Sequence, residues 1–405
     1  MTERGFSRHA APRQAVPTRE LKTRMARFQE GLRRAGIDVA LIVQNADLYY
    51  LAGTVQQSHL FVPAEGDPLF LVRRDPQRAA EETPLAVEPL TSSKTLGGVL
   101  ERLGLTPSAT LGLELDVLPA RHYLRYRRMY PEAELVDCSA VLLDQRAIKS
   151  DWELQVLEEC ARLAEDSLAQ TAARIEEGMT EIEVSGILEG TMRRLGHQGL
   201  VRFRAFNQEM LQAHVFAGPG AGRSTYMDGP LGGQGLGPAV SQGASRRVIR
   251  RGEAIVIDFP GTKDGYLVDQ TRTLCVGPLP ADLKEAYAAC LDIEQLVQET
   301  ARAGVACGEV YEAAVRRAQE LGYGSGFMGY PAPVRFIGHG VGIELDELPV
   351  LVQGSDRVLA TGNVVAVEPK VVLPDRGTVG VENTWVVGPE GLRRITTARN
   401  EVWEL

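Results

Sequence analysis

The sequence predicts an α+β protein with two domains. Its 405 residues exceed one ordinary domain, and its 44% hydrophobic and 24% charged residues are typical of globular chains. In the second half, helical and antiparallel-strand patterns follow one another in blocks, which is typical of the α+β class. We expect a tail over residues 1–18, a smaller α/β domain over residues 19–148 and a larger α+β domain over residues 149–405.

The smaller domain is predicted from alternating helical and strand patterns. Apolar residues recur at helical spacing over residues 21–34, and short apolar runs elsewhere are typical of strands. The expected strands lie at residues 39–43, 69–72, 111–113 and 135–138, and further helices lie near residues 97–103 and 119–129. This order of helices and strands indicates an α/β domain.

Two capping boxes open the larger domain. Ser150 with Glu153, and Thr180 with Glu183, have the spacing that starts a helix. We then expect paired strands over residues 201–216, a glycine-rich loop over residues 218–243 and an aspartate-bearing hairpin. The remaining expected elements are helices at residues 281–302 and 308–321, and strands at residues 364–368 and 379–387.

Composition argues against several classes of partner. The net charge of −9 and the lack of a basic stripe argue against nucleic acid. No run approaches the ~18 apolar residues of a membrane helix, and residues 1–18 lack the apolar core of a signal peptide. The five cysteines are scattered without a Cys-x-x-Cys pair, which is typical of a reduced, cytoplasmic protein.

The most informative motif is a pair of aspartates flanking one predicted turn. Asp258 and Asp269 lie in otherwise apolar strand patterns. If residues 262–265 form a four-residue loop, the two aspartates lie directly opposite each other, with Cβ atoms roughly 5 Å apart. Neighbouring carboxylates on a half-buried sheet repel each other and lose hydration. Either a shared proton or a cation is needed to offset that repulsion.

Three further side chains favour the cation. His339 lies between glycines, Glu368 ends an apolar strand pattern, and Glu382 lies within another. With the aspartates they supply four carboxylates and one imidazole, a set that suits two divalent ions of manganese, cobalt, iron or zinc. Carboxylates can bridge such ions when the ions are about 3.5–4 Å apart.

In this order, the motifs resemble the creatinase/prolidase/methionine aminopeptidase family of metallopeptidases (M24), which has the pita-bread fold. The motif residues are Asp258, Asp269 with Thr271-Arg272-Thr273, Gly338-His339-Gly340, Glu368-Pro369 and Glu382. The segment from Asn45 to Gly53 is similar to the creatinase-type N-terminal domain of the Xaa-Pro dipeptidase branch. The resemblance implies a pita-bread catalytic domain behind that smaller domain, and a homodimer.

The resemblance also implies a site and a reaction. Asp258 would bind one ion, His339 and Glu368 the other, and Asp269 and Glu382 would bridge two divalent ions, with manganese favoured. Glu368 would also pass the proton of the attacking water. The implied reaction is hydrolysis of a C–N bond in a short peptide or other small substrate, of the Xaa-Pro dipeptidase or aminopeptidase type.

The residues expected around the substrate differ from that pattern. Peptide-cleaving relatives carry a histidine at the position of Asp346 and another near Ser241 or Gln242, where this chain has none. Prolidases carry an arginine at the position of Gly380. An ionised carboxylate cannot donate a hydrogen bond as an imidazole does. Because these positions differ, other groups are needed beside the substrate. We take His214, and Asp346 at the altered position itself, as further candidate catalytic residues. Two alternatives stay open: a small-molecule amidinohydrolase or lyase on the same scaffold, and a non-catalytic binding protein.

Overall fold

The computed structural model describes residues 15–204 and 206–405. The chain divides into two compact units, which meet in sequence between Val141 and Leu142. Most of the predicted tail, residues 1–18, lies outside the described residues. Across the described ranges, no helix has both the length and the apolar character that a membrane span requires.

The first unit contains a mixed six-stranded sheet in the order β4-β3-β2-β1-β5-β6. Its strands are β1 (Val39–Ile42), β2 (Ser58–Pro63), β3 (Leu69–Val72), β4 (Val87–Pro89), β5 (Thr110–Leu113) and β6 (Glu134–Asp137). Its helices are α1 (Thr18–Ala35), α2 (Asn45–Ala52), α3 (Pro76–Glu82), α4 (Val99–Arg102) and α5 (Ala120–Met129), while α6 (Ser139–Ala147) runs across the division. Strand β1 is antiparallel to β2 and parallel to β5, as in an α/β domain.

The second unit contains two pairs of consecutive helices. These are α7 (Asp151–Ala172) with α8 (Glu181–Leu195), and α9 (Ala281–Thr300) with α10 (Cys307–Glu320). Both predicted capping boxes are confirmed: Ser150 and Glu153 exchange side-chain-to-backbone hydrogen bonds at the start of α7, and Thr180 and Glu183 do so at α8.

The strands of the second unit form three sheets, in the orders β17-β9-β8-β7, β11-β10-β12-β15-β16 and β13-β14. They are β7 (His214–Ala217), β8 (Ala254–Lys263), β9 (Tyr266–Cys275), β10 (Phe336–Gly340), β11 (Glu347–Val352), β12 (Val364–Val367), β13 (Lys370–Leu373), β14 (Gly377–Gly380), β15 (Asn383–Val387), β16 (Leu392–Arg394) and β17 (Trp403–Glu404). An isolated bridge between Thr271 and Glu382 links β9 to the chain entering β15. This bridge brings the separate sequence motifs together.

Strand alternation separates the core from the polar motif residues. On β8, Ile255, Ile257 and Phe259 pack in one apolar cluster with residues of α7 and α8. Because successive side chains of a strand point to opposite faces, Asp258 lies on the face away from those helices.

Two expected strand segments differ from the structure. The predicted strand pair over residues 201–216 is wrong, because the only strand among its described residues is β7, starting at His214. Isolated bonds replace a ladder here, such as Leu345 N–H donating to the Arg202 carbonyl oxygen at 2.9 Å. The predicted strand over residues 379–387 is divided into β14 and β15 because the backbone of Glu382 pairs with Thr271 on β9.

Candidate metal centre

The two motif aspartates lie on one hairpin, in a different register from the predicted one. The turn between β8 and β9 is Asp264-Gly265, with φ of 47° and 85°. Asp258 pairs with Thr271, and Asp269 pairs with Pro260. The predicted four-residue loop, with the aspartates directly opposite each other, is therefore wrong. Asp-Gly accepts positive φ at both positions and favours a two-residue turn, and the resulting two-residue shift keeps both carboxylates on one face.

His339 is buried on β10, the strand between β11 and β12. Its Nδ1–H donates to the carbonyl oxygen of Leu345 at 3.0 Å. In the neutral imidazole the lone pair is then on Nε2, which lies 3.7 Å from Glu368 Oε1 and 3.8 Å from Glu382 Oε1. Gly338 permits this packing, because a Cβ there would lie 2.2 Å from a backbone oxygen of β12. The contacts therefore present His339 in the tautomer that binds metal ions.

Glu382 is held where β9 meets the chain entering β15. Its N–H donates to the Thr271 carbonyl oxygen at 3.1 Å, and its Oε2 accepts from the Thr271 hydroxyl at 2.7 Å. The buried guanidinium of Arg272 donates to the Glu382 carbonyl oxygen at 2.7 Å. Glu382 Oε1 is buried and has no hydrogen-bond partner in the described part of the chain. A buried oxygen without a partner is costly, so this atom fits a cation ligand.

Sequence reasoning missed a lysine among these carboxylates. The ammonium nitrogen of Lys370 lies 2.6 Å from Glu368 Oε2, 3.1 Å from Asp258 Oδ2 and 3.1 Å from Glu382 Oε2. The Lys370 side chain is 1% exposed. The signal for it in the sequence is a lysine at the start of the apolar run Lys370-Val-Val-Leu373, because a lysine is almost never fully buried without a charged partner.

Burial and mutual repulsion shift the pKa values of this cluster. Burial raises the pKa of Asp269 well above its usual range, and Glu382 and Asp258 raise it further. Burial also raises the pKa of Glu368 to about 7, although Lys370 opposes that shift. For the lysine itself, burial opposes the charge, but the three carboxylates that it contacts outweigh burial and raise its pKa. The remaining repulsion favours a further cation.

Part of the cluster fits a metal ion. Asp269, His339 and Glu382 each offer one ligand atom, and these atoms lie within 4.8 Å of one another. One imidazole nitrogen and two carboxylate oxygens suit a divalent transition metal. Asp258 and one oxygen of Glu368 instead contact Lys370. The structure thus brings the five predicted ligands together, but an ammonium group contacts three of them.

His214 lies beside this cluster. It opens β7 directly opposite Asp258 on β8, so the two side chains share one face of the sheet. His214 is 8% exposed, and its Nε2 has no hydrogen-bond partner in the described ranges. Burial lowers the pKa of His214, although Asp258 opposes that shift, so the imidazole is neutral at pH 7. A neutral imidazole with a free nitrogen can form a hydrogen bond with a substrate.

Asp346 contacts the other nitrogen of His339. Its Oδ1 lies 3.3 Å from His339 Nδ1, and its side chain is 50% exposed, unlike the cluster carboxylates. Burial opposes protonation of His339, but Asp346 and then Glu368 outweigh it and raise the pKa of His339 to about 9. The contact shows that Asp346 lies against the imidazole of His339, and the predicted catalytic role of Asp346 stays a prediction.

Gly380 provides space for Lys370. The two residues pair across β13 and β14, and a Cβ on Gly380 would lie 2.5 Å from the Lys370 Cγ atom. Position 380, where the resemblance implies an arginine, therefore has no side chain here, and the ammonium group of Lys370 from the neighbouring strand lies among the carboxylates.

Gly380→Ala is expected to destabilise the protein by about 1–3 kcal/mol, because the added methyl group overpacks the site and displaces Lys370. Chemical denaturation measures the change. The matched control is Gly190→Ala on α8, where an added Cβ meets nothing within 4 Å. That substitution is expected to stabilise the protein by about 0.5–1 kcal/mol. Equal stability of Gly380→Ala and the wild type would contradict the close contact.

Two families match the chain. The sequence model of metallopeptidase family M24 matches residues 155–389, and that of the creatinase/prolidase N-terminal domain matches residues 24–148. The chain belongs to metallopeptidase family M24. The predicted family is therefore confirmed, as are the α+β pita-bread fold with a creatinase-type N-terminal domain and the assignment to metallopeptidase-type hydrolases.

The similarity to individual relatives extends along most of the chain. An Xaa-Pro dipeptidase of Pyrococcus horikoshii is 26% identical over 384 residues, which cover 94% of this chain and 99% of the relative. The uncharacterized peptidase YqhT of Bacillus subtilis is 28% identical over 372 residues, covering 91% and 96%. A solved structure of an Xaa-Pro dipeptidase from Bacillus anthracis has a TM-score of 0.81 and 26% identity, covering 95% of this chain and 100% of that one.

Proposed function

We propose that the protein is a metal-dependent hydrolase that cleaves a C–N bond in a dipeptide or short peptide. The observation that carries the proposal is the convergence of Asp269, His339 and Glu382 in a member of family M24. The Xaa-Pro dipeptidases among its relatives make Xaa-Pro peptides the first substrates to test. Manganese is the favoured ion, with cobalt, iron and zinc as alternatives, because the ligand set accepts each of them.

A divalent ion held by these residues would polarise the scissile carbonyl and lower the pKa of a water molecule. Glu368 is proposed to accept the proton of that water and pass it to the leaving amine. Its Oε2 is fixed by Lys370 at 2.6 Å, whereas Oε1 lies on the side of His339, 3.7 Å from Nε2. The lysine thus orients the side chain so that one oxygen stays available for the proton.

His214 and Asp346 are proposed to act beside the ion site. His214 would hydrogen-bond the substrate through Nε2, which is buried and has no hydrogen-bond partner in the described ranges. Asp346 would hold the orientation of His339 through the 3.3 Å contact with Nδ1.

The proposal includes a homodimer in the cytoplasm. The resemblance implies the dimer. A reducing compartment is supported by the cysteines, because all five are buried and none forms a disulfide.

A substrate panel tests the proposed reaction. Metal-stripped protein is reloaded with Mn²⁺, Co²⁺, Fe²⁺ or Zn²⁺ and assayed with Xaa-Pro dipeptides, other dipeptides, amidines and lyase substrates. We expect peptide turnover that requires metal. Metal-dependent turnover of an amidine or lyase substrate alone would favour the second candidate function. That function is motivated by the two positions where the resemblance implies histidines, of which one holds Asp346 and the other falls near Ser241 or Gln242. Bound metal without turnover in any class would favour a binding protein.

A further inference from the structure

We infer that Lys370 takes the place of one of the two cations expected in this family's site, so that the centre holds a single divalent ion. The inference rests on the proposed function and specifies its metal site. It differs from the two-ion arrangement that the resemblance implies, and it assigns Asp258 to the lysine rather than to an ion.

The first argument is the position of the ammonium group. Its three hydrogen-bond donors meet Glu368 at 2.6 Å and Asp258 and Glu382 at 3.1 Å each. Asp258 and Glu368 are the residues that the resemblance assigns to different ions. A cation in contact with both, and with Glu382, therefore lies between the expected ligands of the two ions.

The second argument is how the two glutamates divide their oxygens. Glu368 and Glu382 both direct Oε2 to Lys370. Both place Oε1 on the side of His339, 3.7 and 3.8 Å from Nε2. Glu382 Oε1 is also the buried oxygen without a partner in the described ranges. The two Oε2 atoms thus serve the ammonium, and Glu382 Oε1 remains for one ion beside His339 and Asp269. Glu368 Oε1 remains for the proton.

The third argument is that the lysine is built into the sheet. Lys370 is 1% exposed, and its Cγ occupies the space that a side chain at position 380 would need. Three ion contacts hold its nitrogen among the carboxylates. A second divalent ion on the same oxygens would meet this fixed positive charge, and like charges at such short range repel strongly in a buried site.

Calorimetric titration of the metal-stripped, full-length protein with Mn²⁺ tests the inference without an activity assay. We expect one ion per chain for the wild type and two for Lys370→Met, because the variant frees the oxygens that the ammonium occupies. The control is Lys263→Met, which removes a lysine from the same hairpin as Asp258, where it pairs with Glu159 away from the cluster. This control should keep a stoichiometry of one.

A second variant retains the lysine and so does not depend on the folding of Lys370→Met. Asp258→Asn is expected to change the affinity for the single ion by less than about tenfold, as for a group outside the metal ligands, whereas His339→Ala should lower it by more than about 100-fold. Equal losses in these two variants would overturn the inference. Two ions in the wild type would also overturn it while leaving the proposed hydrolase intact, whereas the absence of any ion would overturn both.

Discussion

Asp269→Asn is expected to abolish metal binding and peptide hydrolysis. The Asp269 carboxylate is one of the three groups whose ligand atoms lie within 4.8 Å of one another. Mutation of groups that only orient a ligand already costs about 10–100-fold in metal affinity. The loss of a charged ligand is therefore expected to cost at least about 100-fold, and hydrolysis should fall below detection with it.

The fold should survive this change. Asp269 Oδ1 accepts from the Gln270 N–H at 2.9 Å, and the Asp269 backbone exchanges bonds of 3.0 and 2.8 Å with the Thr384 hydroxyl. An asparagine can keep all of these bonds. Burial and the neighbouring Glu382 raise the pKa of Asp269, so the ionised carboxylate is energetically unfavourable when no ion is bound. We expect metal-free Asp269→Asn to equal metal-free wild type in stability or exceed it by about 1 kcal/mol.

Calorimetric titration with Mn²⁺ measures the loss of metal affinity. Thermal unfolding with and without Mn²⁺ measures the change in stability. The matched control is Asp264→Asn at the turn of the same hairpin, where φ is 47° and asparagine is well tolerated. The control should bind metal like the wild type and gain thermal stability when metal is added. Wild-type affinity in Asp269→Asn would show that the carboxylate is not a ligand.

Glu347→Gln is expected to destabilise the protein by about 3–5 kcal/mol, because it removes the charge that the buried Lys149 pairs with and leaves Arg146 with Glu344 alone, at 2.8 Å. Glu347 is 4% exposed and accepts from Arg146 Nη2 at 2.5 Å and from Lys149 Nζ at 3.1 Å. It also accepts from the N–H groups of Ile343 and Glu344 at 2.8 and 3.0 Å. The glutamate thereby closes the loop between β10 and β11.

The same loop supports the metal centre. Leu345 lies between Glu344 and Glu347 in the sequence, and its carbonyl oxygen accepts a hydrogen bond from the Nδ1–H of His339. Loosening the loop should therefore weaken metal binding by about 10–100-fold, as expected for a group that orients a ligand. A loss of stability without any loss of metal affinity would contradict this connection.

The effect of Glu347→Gln should depend on pH. Burial alone would raise the pKa of Glu347, but Arg146 and Lys149 outweigh it and lower the pKa from 4.5 to about 2. A lowered carboxylate pKa stabilises the fold fully above the unfolded value, and this contribution is lost as the pH falls through 2. It amounts to about 3 kcal/mol at pH 7.

Urea denaturation of the wild type and Glu347→Gln between pH 3 and pH 7 measures this difference. The difference in the free energy of unfolding between the wild type and Glu347→Gln should become smaller toward pH 3. The control is Glu404→Gln, which breaks the half-exposed pair with Lys284 and should leave the free energy of unfolding almost unchanged at every pH. A gap of the same size at every pH would contradict the proposed charge pairing.

Local signals in the sequence predicted most elements correctly. The capping boxes at Ser150 and Thr180 placed the starts of α7 and α8, because their hydrogen bonds lie within one helical turn. The motif order from Asp258 to Glu382 identified the family and the residues that converge. Their convergence depends on the Thr271–Glu382 bridge between distant segments, which no local pattern encodes.

The errors arose where tertiary contacts, or a stronger local signal, decided the structure. The hairpin register follows from Asp264-Gly265, because Asp-Gly favours a two-residue turn, whereas directly facing aspartates require a four-residue loop. The segment before His214 had strand-like composition but bonds singly to other loops. Lys370 was missed because its three partners come from β8, the end of β12 and the start of β15, so only the assembled sheets reveal them.

The most direct test of the account is the rate of peptide hydrolysis measured against bound metal in one sample. Metal-stripped protein is titrated with Mn²⁺, and bound ion and turnover of the best peptide substrate are recorded at each step. The account predicts no turnover without metal and a rate that rises in proportion to bound ion until one ion per chain is reached. Full hydrolysis by the metal-free protein, or turnover that begins only with a second ion, would contradict it.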